Sequence, residues 1–188
     1  MKQVRKVLIA GMPGTGKSTL ARSLAKMTGN GSHIVIEPDE LGDGWAPYGY
    51  QLIKPVEREM NASGLKRVVF DEDDKTFLDK LKNSVFNQVI IFDDAVFMLT
   101  DMHQYRKLRK ILGRARQTGN HIFFTIHDVA DVPAPFWAYF TDVILFKTAG
   151  EMQRAKYKIP QFEKVEQARQ IVNQETGDIR KFIFIKIV

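Results

Sequence analysis

Gly11-Met12-Pro13-Gly14-Thr15-Gly16-Lys17-Ser18 fits the pattern G-x-x-x-x-G-K-[ST] in full. Val4 to Ala10, just before it, is an apolar run that reads as a strand. Lys17 to Met27, just after it, reads as a helix with Leu20, Leu24 and Met27 at helical spacing. Strand, glycine loop and helix in that order form an anion cradle. The glycines let backbone N–H groups turn inward around a β-phosphate. Lys17 places an ammonium on the β- and γ-phosphates, Ser18 offers a hydroxyl to Mg²⁺, and the helix start aims its positive end at the same anion. Gly11, Met12, Pro13, Gly14, Thr15, Gly16, Lys17 and Ser18 are therefore expected to hold ATP. Thr19 has two readings, a reach to the α-phosphate or a polar residue that only starts the helix.

Working outward, the chain alternates between the two periods. His33 to Glu37 reads as a second strand stopped by Pro38, and Gly42 to Tyr50 as a Gly/Pro/aromatic loop. Gln51 to Ala62 reads as a helix with Pro55 inside it. Lys66 to Phe70 is a short strand and Lys75 to Phe86 a helix. Gln88 to Phe92 and His121 to Ile126 are continuous apolar strands that suit burial on both faces. Met102 to Thr118 between them is a basic amphipathic helix. Pro133 and Pro135 break the chain before Phe136-Trp137. Asp142 to Phe146 is a strand, Gln161 to Gln174 a helix and Lys181 to Ile187 a last strand. This alternation predicts an α/β three-layer sandwich around a mostly parallel central sheet.

The composition sets limits. With 188 residues the chain fits one domain, read as a core over residues 3–147 with a helix and strand added over 160–188. A hydrophobic content of 44% is enough for a core and excludes global disorder. The absence of cysteine excludes disulfides, cysteine-ligated zinc, iron–sulfur clusters and thiol nucleophiles. The apolar runs are short, so no membrane span is expected, and Met1 to Lys6 does not open a signal peptide. The expected location is cytoplasmic, a host cytoplasm or virion if the source is viral. The net charge of +6 is compatible with a polyanionic partner but equally with a basic soluble domain.

Val89-Ile90-Ile91-Phe92-Asp93-Asp94 is an apolar strand ending in two carboxylates. Beside a phosphate loop this is the metal strand: Asp93 is expected to hold the Mg²⁺ shell and Asp94 to polarise the attacking water. A polar residue ending the neighbouring buried strand can bond the γ-phosphate or that water; His127 has that position, with Thr125 behind it. Arg106 to Arg116 carries six basic residues opposite an apolar face of Leu108, Ile111, Leu112 and Ala115. It reads as a solvated helix face, as a nucleic-acid contact, or as the source of an arginine finger, for which Arg114 and Arg116 at the helix end are the candidates. Asp71-Glu72-Asp73-Asp74 reads as a solvated helix start. Trp45, Tyr48 and Tyr50 read as packing residues, with base stacking or pore lining as the alternative.

These residues resemble the FtsK/HerA class of DNA-pumping ATPases with a RecA/ASCE-like core, viral genome-packaging ATPases in particular. Besides the two phosphate motifs, the resemblance rests on Arg116-x-x-Gly119-x-His121, the apolar strand, His127 and Asp131-Val132-Pro133, and on Ile34-Val35-Ile36-Glu37-Pro38. It covers roughly Val4 to Phe146. His127 stands where the family usually has Gln. What it implies is a ring of five or six subunits that translocates double-stranded DNA by ATP hydrolysis, with the site between subunits and an arginine supplied in trans. A capsid or portal-vertex protein is an implied partner. Two alternatives stand beside it. The loop opening also looks like that of nucleotide or small-molecule kinases, for which Arg154-Ala155-Lys156-Tyr157-Lys158 is a poor lid. The other is a phage assembly ATPase without DNA translocation.

Overall fold

Among the described residues seven of eight strands run parallel and place their C-terminal ends on one edge, where the phosphate loop begins. The computed structural model describes residues 3–28, 31–38, 44–71, 73–150 and 152–187. Met1 and Lys2, the first two residues of the Gly42 to Tyr50 loop, and Glu72 of the acidic run lie outside them. In chain order the elements are β1 (Lys6–Ala10), α1 (Lys17–Thr28), β2 (His33–Glu37), β3 (Gln51–Leu52), α2 (Glu57–Asn61), β4 (Leu65–Val69), α3 (Phe77–Ser84) and β5 (Val89–Phe92). They continue with α4 (Val96–Thr100), α5 (Met102–Thr118), β6 (His121–Ile126), α6 (Ala134–Trp137), β7 (Asp142–Leu145), α7 (Phe162–Gln174) and β8 (Ile183–Lys186). The sheet order is β3-β4-β2-β5-β6-β1-β7-β8, with β8 antiparallel to β7.

Register decides what meets at the edge. Ala10 pairs with Ile126, and Phe92 pairs with Ile36 on one side and Phe124 on the other. The residues that follow Ala10, Phe92 and Ile126 thus leave the sheet side by side, the place where open α/β sheets bind ligands. The central strands are buried on both faces, so each face seals against its own helical layer. On one face Phe92 and Phe124 stack at 4.7 Å with rings 16° apart. The apolar face of α5, with Leu108, Ile111, Leu112 and Ala115 buried, closes the same cluster.

The expected α/β sandwich is the observed one, and α5 and β6 have the boundaries their patterns predict. Several local readings differ. In α1 the fully buried apolar positions are Ala21 and Ala25; Leu20 and Leu24 lie half-buried beside them and Met27 is 81% exposed. Small residues let this helix approach the sheet closely, which brings its first turn over the site. Gln51 to Ala62 is not one helix. Pro55 lacks an N–H and holds its predecessor extended, so a two-residue strand precedes it and α2 starts only at Glu57. The short helices α4 and α6 have too few residues to show a period and were not anticipated.

Candidate active site

Two glycines shape the loop: Gly14 has φ +78° and Gly16 φ +98°, left-handed values that L side chains rarely adopt. Gly11 is required for a different reason, since a Cβ there would come within 2.5 Å of the Phe146 Cβ. The first two loop amides anchor the loop to the sheet: Gly11 N–H donates to Ile126 O at 3.1 Å and Met12 N–H to Lys147 O at 2.8 Å. The amides in the first turn of α1 have no intrahelical acceptor and face the cradle. Lys17 Nζ folds back to Met12 O at 3.1 Å, an acceptor it shares with Thr15 Oγ1 at 2.8 Å. Burial pushes the Lys17 pKa below its ordinary value, against the opposing pull of Asp94 and then Asp93.

The Asp93 carboxylate accepts from three side chains brought in by three different segments. Ser18 Oγ donates to Oδ1 at 3.0 Å, Thr125 Oγ1 donates to the same oxygen at 2.5 Å, and Trp45 Nε1 donates to Oδ2 at 2.7 Å. The Thr125 hydroxyl also accepts the Asp94 amide N–H at 2.8 Å. Asp94 has φ +49°, a value Asp tolerates better than most residues, and this turn separates its carboxylate from that of Asp93. Asp94 Oδ2 lies 3.2 Å from His127 Nε2, while Asp94 Oδ1 is buried with no hydrogen-bond partner among the described residues.

A hydroxyl and a carboxylate 3.0 Å apart beside a phosphate cradle are hard oxygen donors, the set that suits Mg²⁺ completed by phosphate oxygens and water. Among the described residues no group of three or more His, Asp or Glu gathers as a protein-only metal site. Ser18 and Asp93 therefore fit the cation that the sequence pattern implies.

A cavity of about 660 Å³ opens over the loop, lined by Gly14 to Leu20 and by Arg22, Ser23, Tyr48, Phe146, Arg180 and Phe182. The Arg22 guanidinium lies over the Tyr48 ring at 3.1 Å. The Arg180 side chain lies over Gly16, its Cγ at the edge of van der Waals contact with a Cβ built there, and the Phe182 and Phe146 rings are 5.3 Å apart. A smaller cavity of about 460 Å³ opens beside Asp94 and His127, walled by Pro38, Phe70, Val96 and Phe97.

The fold thus brings Gly14 to Thr19, Asp93, Asp94 and His127 to one edge, with Gly11 and Met12 fixing the loop beneath. It does not bring Arg114 and Arg116 there. Both are exposed in the last turns of α5, at the edge where β5 and β6 begin, a full strand length from Asp94. Within one chain they cannot reach the nucleotide. The weak lid candidate, residues 154–158, lies elsewhere: Lys158 Nζ donates to Ala130 O, Ala155 is buried, and none of the five lines the cavity. Sequence reasoning missed Arg180 and Phe182, which no motif marks and which the tail beyond Thr148 delivers only through the antiparallel return of β8. It also read Trp45 as a packing residue, with base stacking or pore lining as the alternative, and Thr125 as a reserve sensor rather than the bridge between the two acids.

Comparison with known proteins supplies the family. No curated protein sequence matches the chain. Among solved structures the chain is similar to the genome packaging NTPase B204 of Sulfolobus turreted icosahedral virus 2, with sulfate bound, at TM-score 0.75 and 17% identity over 100% of this chain and 93% of that one. The same protein with ATP-gammaS gives TM-score 0.73 and 18% identity over 100% and 94%. VirB4 of Thermoanaerobacter pseudethanolicus gives 0.57 and 11% over 97% and 89%. At these identities the likeness is one of fold. The model of the ATPase family associated with various cellular activities matches residues 7–104. Because that match runs from β1 through the phosphate loop and the paired aspartates into α5, the chain belongs to the ATPase family associated with various cellular activities (AAA).

Proposed function

We propose that this ATPase is a Mg²⁺-dependent motor that moves or packages double-stranded DNA, working as a ring of five or six copies in viral genome packaging. The observation that carries the reading is the full-length likeness to a genome packaging NTPase, which extends over the C-terminal helix and strand as well as the phosphate loop. A capsid or portal-vertex protein is the further partner of that reading.

The reaction is in-line attack of water on the γ-phosphate. When bound, Mg²⁺ would supply neutralisation of the phosphate charge. Lys17 and the amides of Gly14 to Ser18 take the remaining charge, and Ser18 and Asp93 hold the cation. Asp94, whose side chain is about half exposed, positions the water and takes its proton. His127, bonded to Oδ2, fixes that carboxylate and reads the γ-phosphate. Arg114 or Arg116 completes the site of a neighbouring copy, a role with which their exposed place on the far edge is compatible. A kinase reading has less support, since none of the residues named for its lid lines the cavity over the loop.

The experiment is ATPase rate per subunit against protein concentration, with and without double-stranded DNA. Specific activity is expected to climb with concentration and again with DNA. Turnover that is flat in both would overturn the motor reading and leave a monomeric ATPase.

A further inference from the structure

We propose that Trp45 is a positioning residue of the ATPase site, its indole N–H fixing the side of the Asp93 carboxylate that the cation does not use. The inference rests on the reading of Asp93 and Ser18 as the cation's protein ligands.

Trp45 Nε1 donates to Asp93 Oδ2 at 2.7 Å, and the residue is 1% exposed. The other oxygen, Oδ1, takes Thr125 Oγ1 at 2.5 Å and Ser18 Oγ at 3.0 Å, the Ser18 hydroxyl lying also 3.3 Å from Oδ2. These donors are not equivalent. A hydroxyl can turn and offer its lone pairs to a cation, whereas an indole N–H only donates. Ser18 can offer a lone pair to a cation while its proton stays on Asp93, and Thr125 and Trp45 hold the carboxylate plane from its other sides. Trp45 is itself braced: Tyr50 packs edge-on against it at 5.0 Å, and the Tyr50 hydroxyl shares a hydrogen bond with His33 Nδ1 at 3.0 Å. From the same short segment Tyr48 reaches the nucleotide cavity. One stretch, residues 45–50, therefore touches both the cation's carboxylate and the nucleotide's cavity, so occupancy of the site is transmitted to an indole.

The test compares wild type with Trp45→Phe, which keeps a ring against Tyr50 and deletes the donor. ATP-gammaS binding is measured by calorimetry with Mg²⁺ and with EDTA, together with thermal unfolding. The affinity gain that Mg²⁺ confers on wild type is expected to shrink by about 10-fold or more in the variant. Affinity in EDTA is expected to be unchanged. An equal Mg²⁺ gain in both proteins overturns the proposal. No Mg²⁺ gain in wild type overturns the cation reading itself, and Trp45's role with it. A second measurement does not depend on the variant's stability. Wild type labelled with 5-fluorotryptophan gives two ¹⁹F resonances, for Trp45 and Trp137, assigned by either single Phe substitution. The Trp45 resonance is expected to shift on adding ATP-gammaS with Mg²⁺ and not with ATP-gammaS in EDTA. A resonance indifferent to Mg²⁺ would reduce Trp45 to a packing residue.

Discussion

The Thr125 hydroxyl donates to the Asp93 carboxylate at 2.5 Å while accepting the amide N–H of Asp94 at 2.8 Å. One buried oxygen on β6 thus sets both acids that end β5, and neither carboxylate is placed by its own strand alone. Thr125→Val keeps the shape and removes both bonds. It leaves the Asp94 amide without its acceptor, a loss of about 1–3 kcal/mol of stability. Steady-state turnover is expected to fall about 10–100-fold, and Thr125→Ser to recover most of it. A Val variant with wild-type turnover would show that the bridge does not position the acids.

Asp94→Asn separates binding from chemistry. The amide keeps the size and can still bond His127, but it cannot take a proton from water. Nucleotide affinity with Mg²⁺ is expected to stay within about threefold of wild type, and turnover to fall by about 10²-fold or more. Calorimetry with ATP-gammaS and phosphate release measured on the same preparation check both halves. Full turnover would remove Asp94 from the chemistry.

Arg180 lies over Gly16 with no ion pair among the described residues, so its charge is available to an anion in the cavity. Arg180→Ala is expected to weaken ATP-gammaS binding about 5–20-fold, in line with loss of a charge-assisted hydrogen bond. It is exposed in a turn, so thermal unfolding should move little. Unchanged affinity would place Arg180 at the cavity mouth without a contact to the nucleotide.

Lys66 predicts an alkaline stability limb. It is buried on β4, where Nζ donates to Gln88 Oε1 at 2.7 Å, Met60 O at 3.1 Å and the Ala62 carbonyl, with no carboxylate beside it among the described residues. Burial pushes its pKa down to about 8 from an ordinary 10.5. Between those values the unfolded chain holds more protons than the folded one, so stability rises with pH there. Relative to Lys66→Met, wild type is expected to gain on the order of 1–2 kcal/mol between pH 7.5 and 9.5. Urea unfolding at the two pH values reads the difference. Tyr50, pushed up to about 12 by burial, acts with the opposite sign above pH 10, so the comparison stays below that. A constant difference between the two proteins would sink the assignment.

The phosphate loop was legible because its chemistry is local. Gly14 and Gly16 are fixed by a backbone conformation, and Lys17 and Ser18 by their place at a helix start, so eight consecutive residues state the site. The parallel sheet was legible for a similar reason, since strands buried on both faces lose their alternation. Even Asp93 followed from its place at the end of such a strand. What the sequence could not carry was which distant side chains converge on that carboxylate. Trp45, Thr125 and Ser18 come from three segments far apart in the chain, and they meet because β1, β2, β5 and β6 lie in register. Arg180 reaches the loop only because β8 returns antiparallel along β7. A hydrogen bond depends on ångström-scale placement that strand order and register impose, and neither is written in any local run of residues. The sequence by itself determined that this chain carries a phosphate loop; the tertiary structure decided what holds the paired acids beside it.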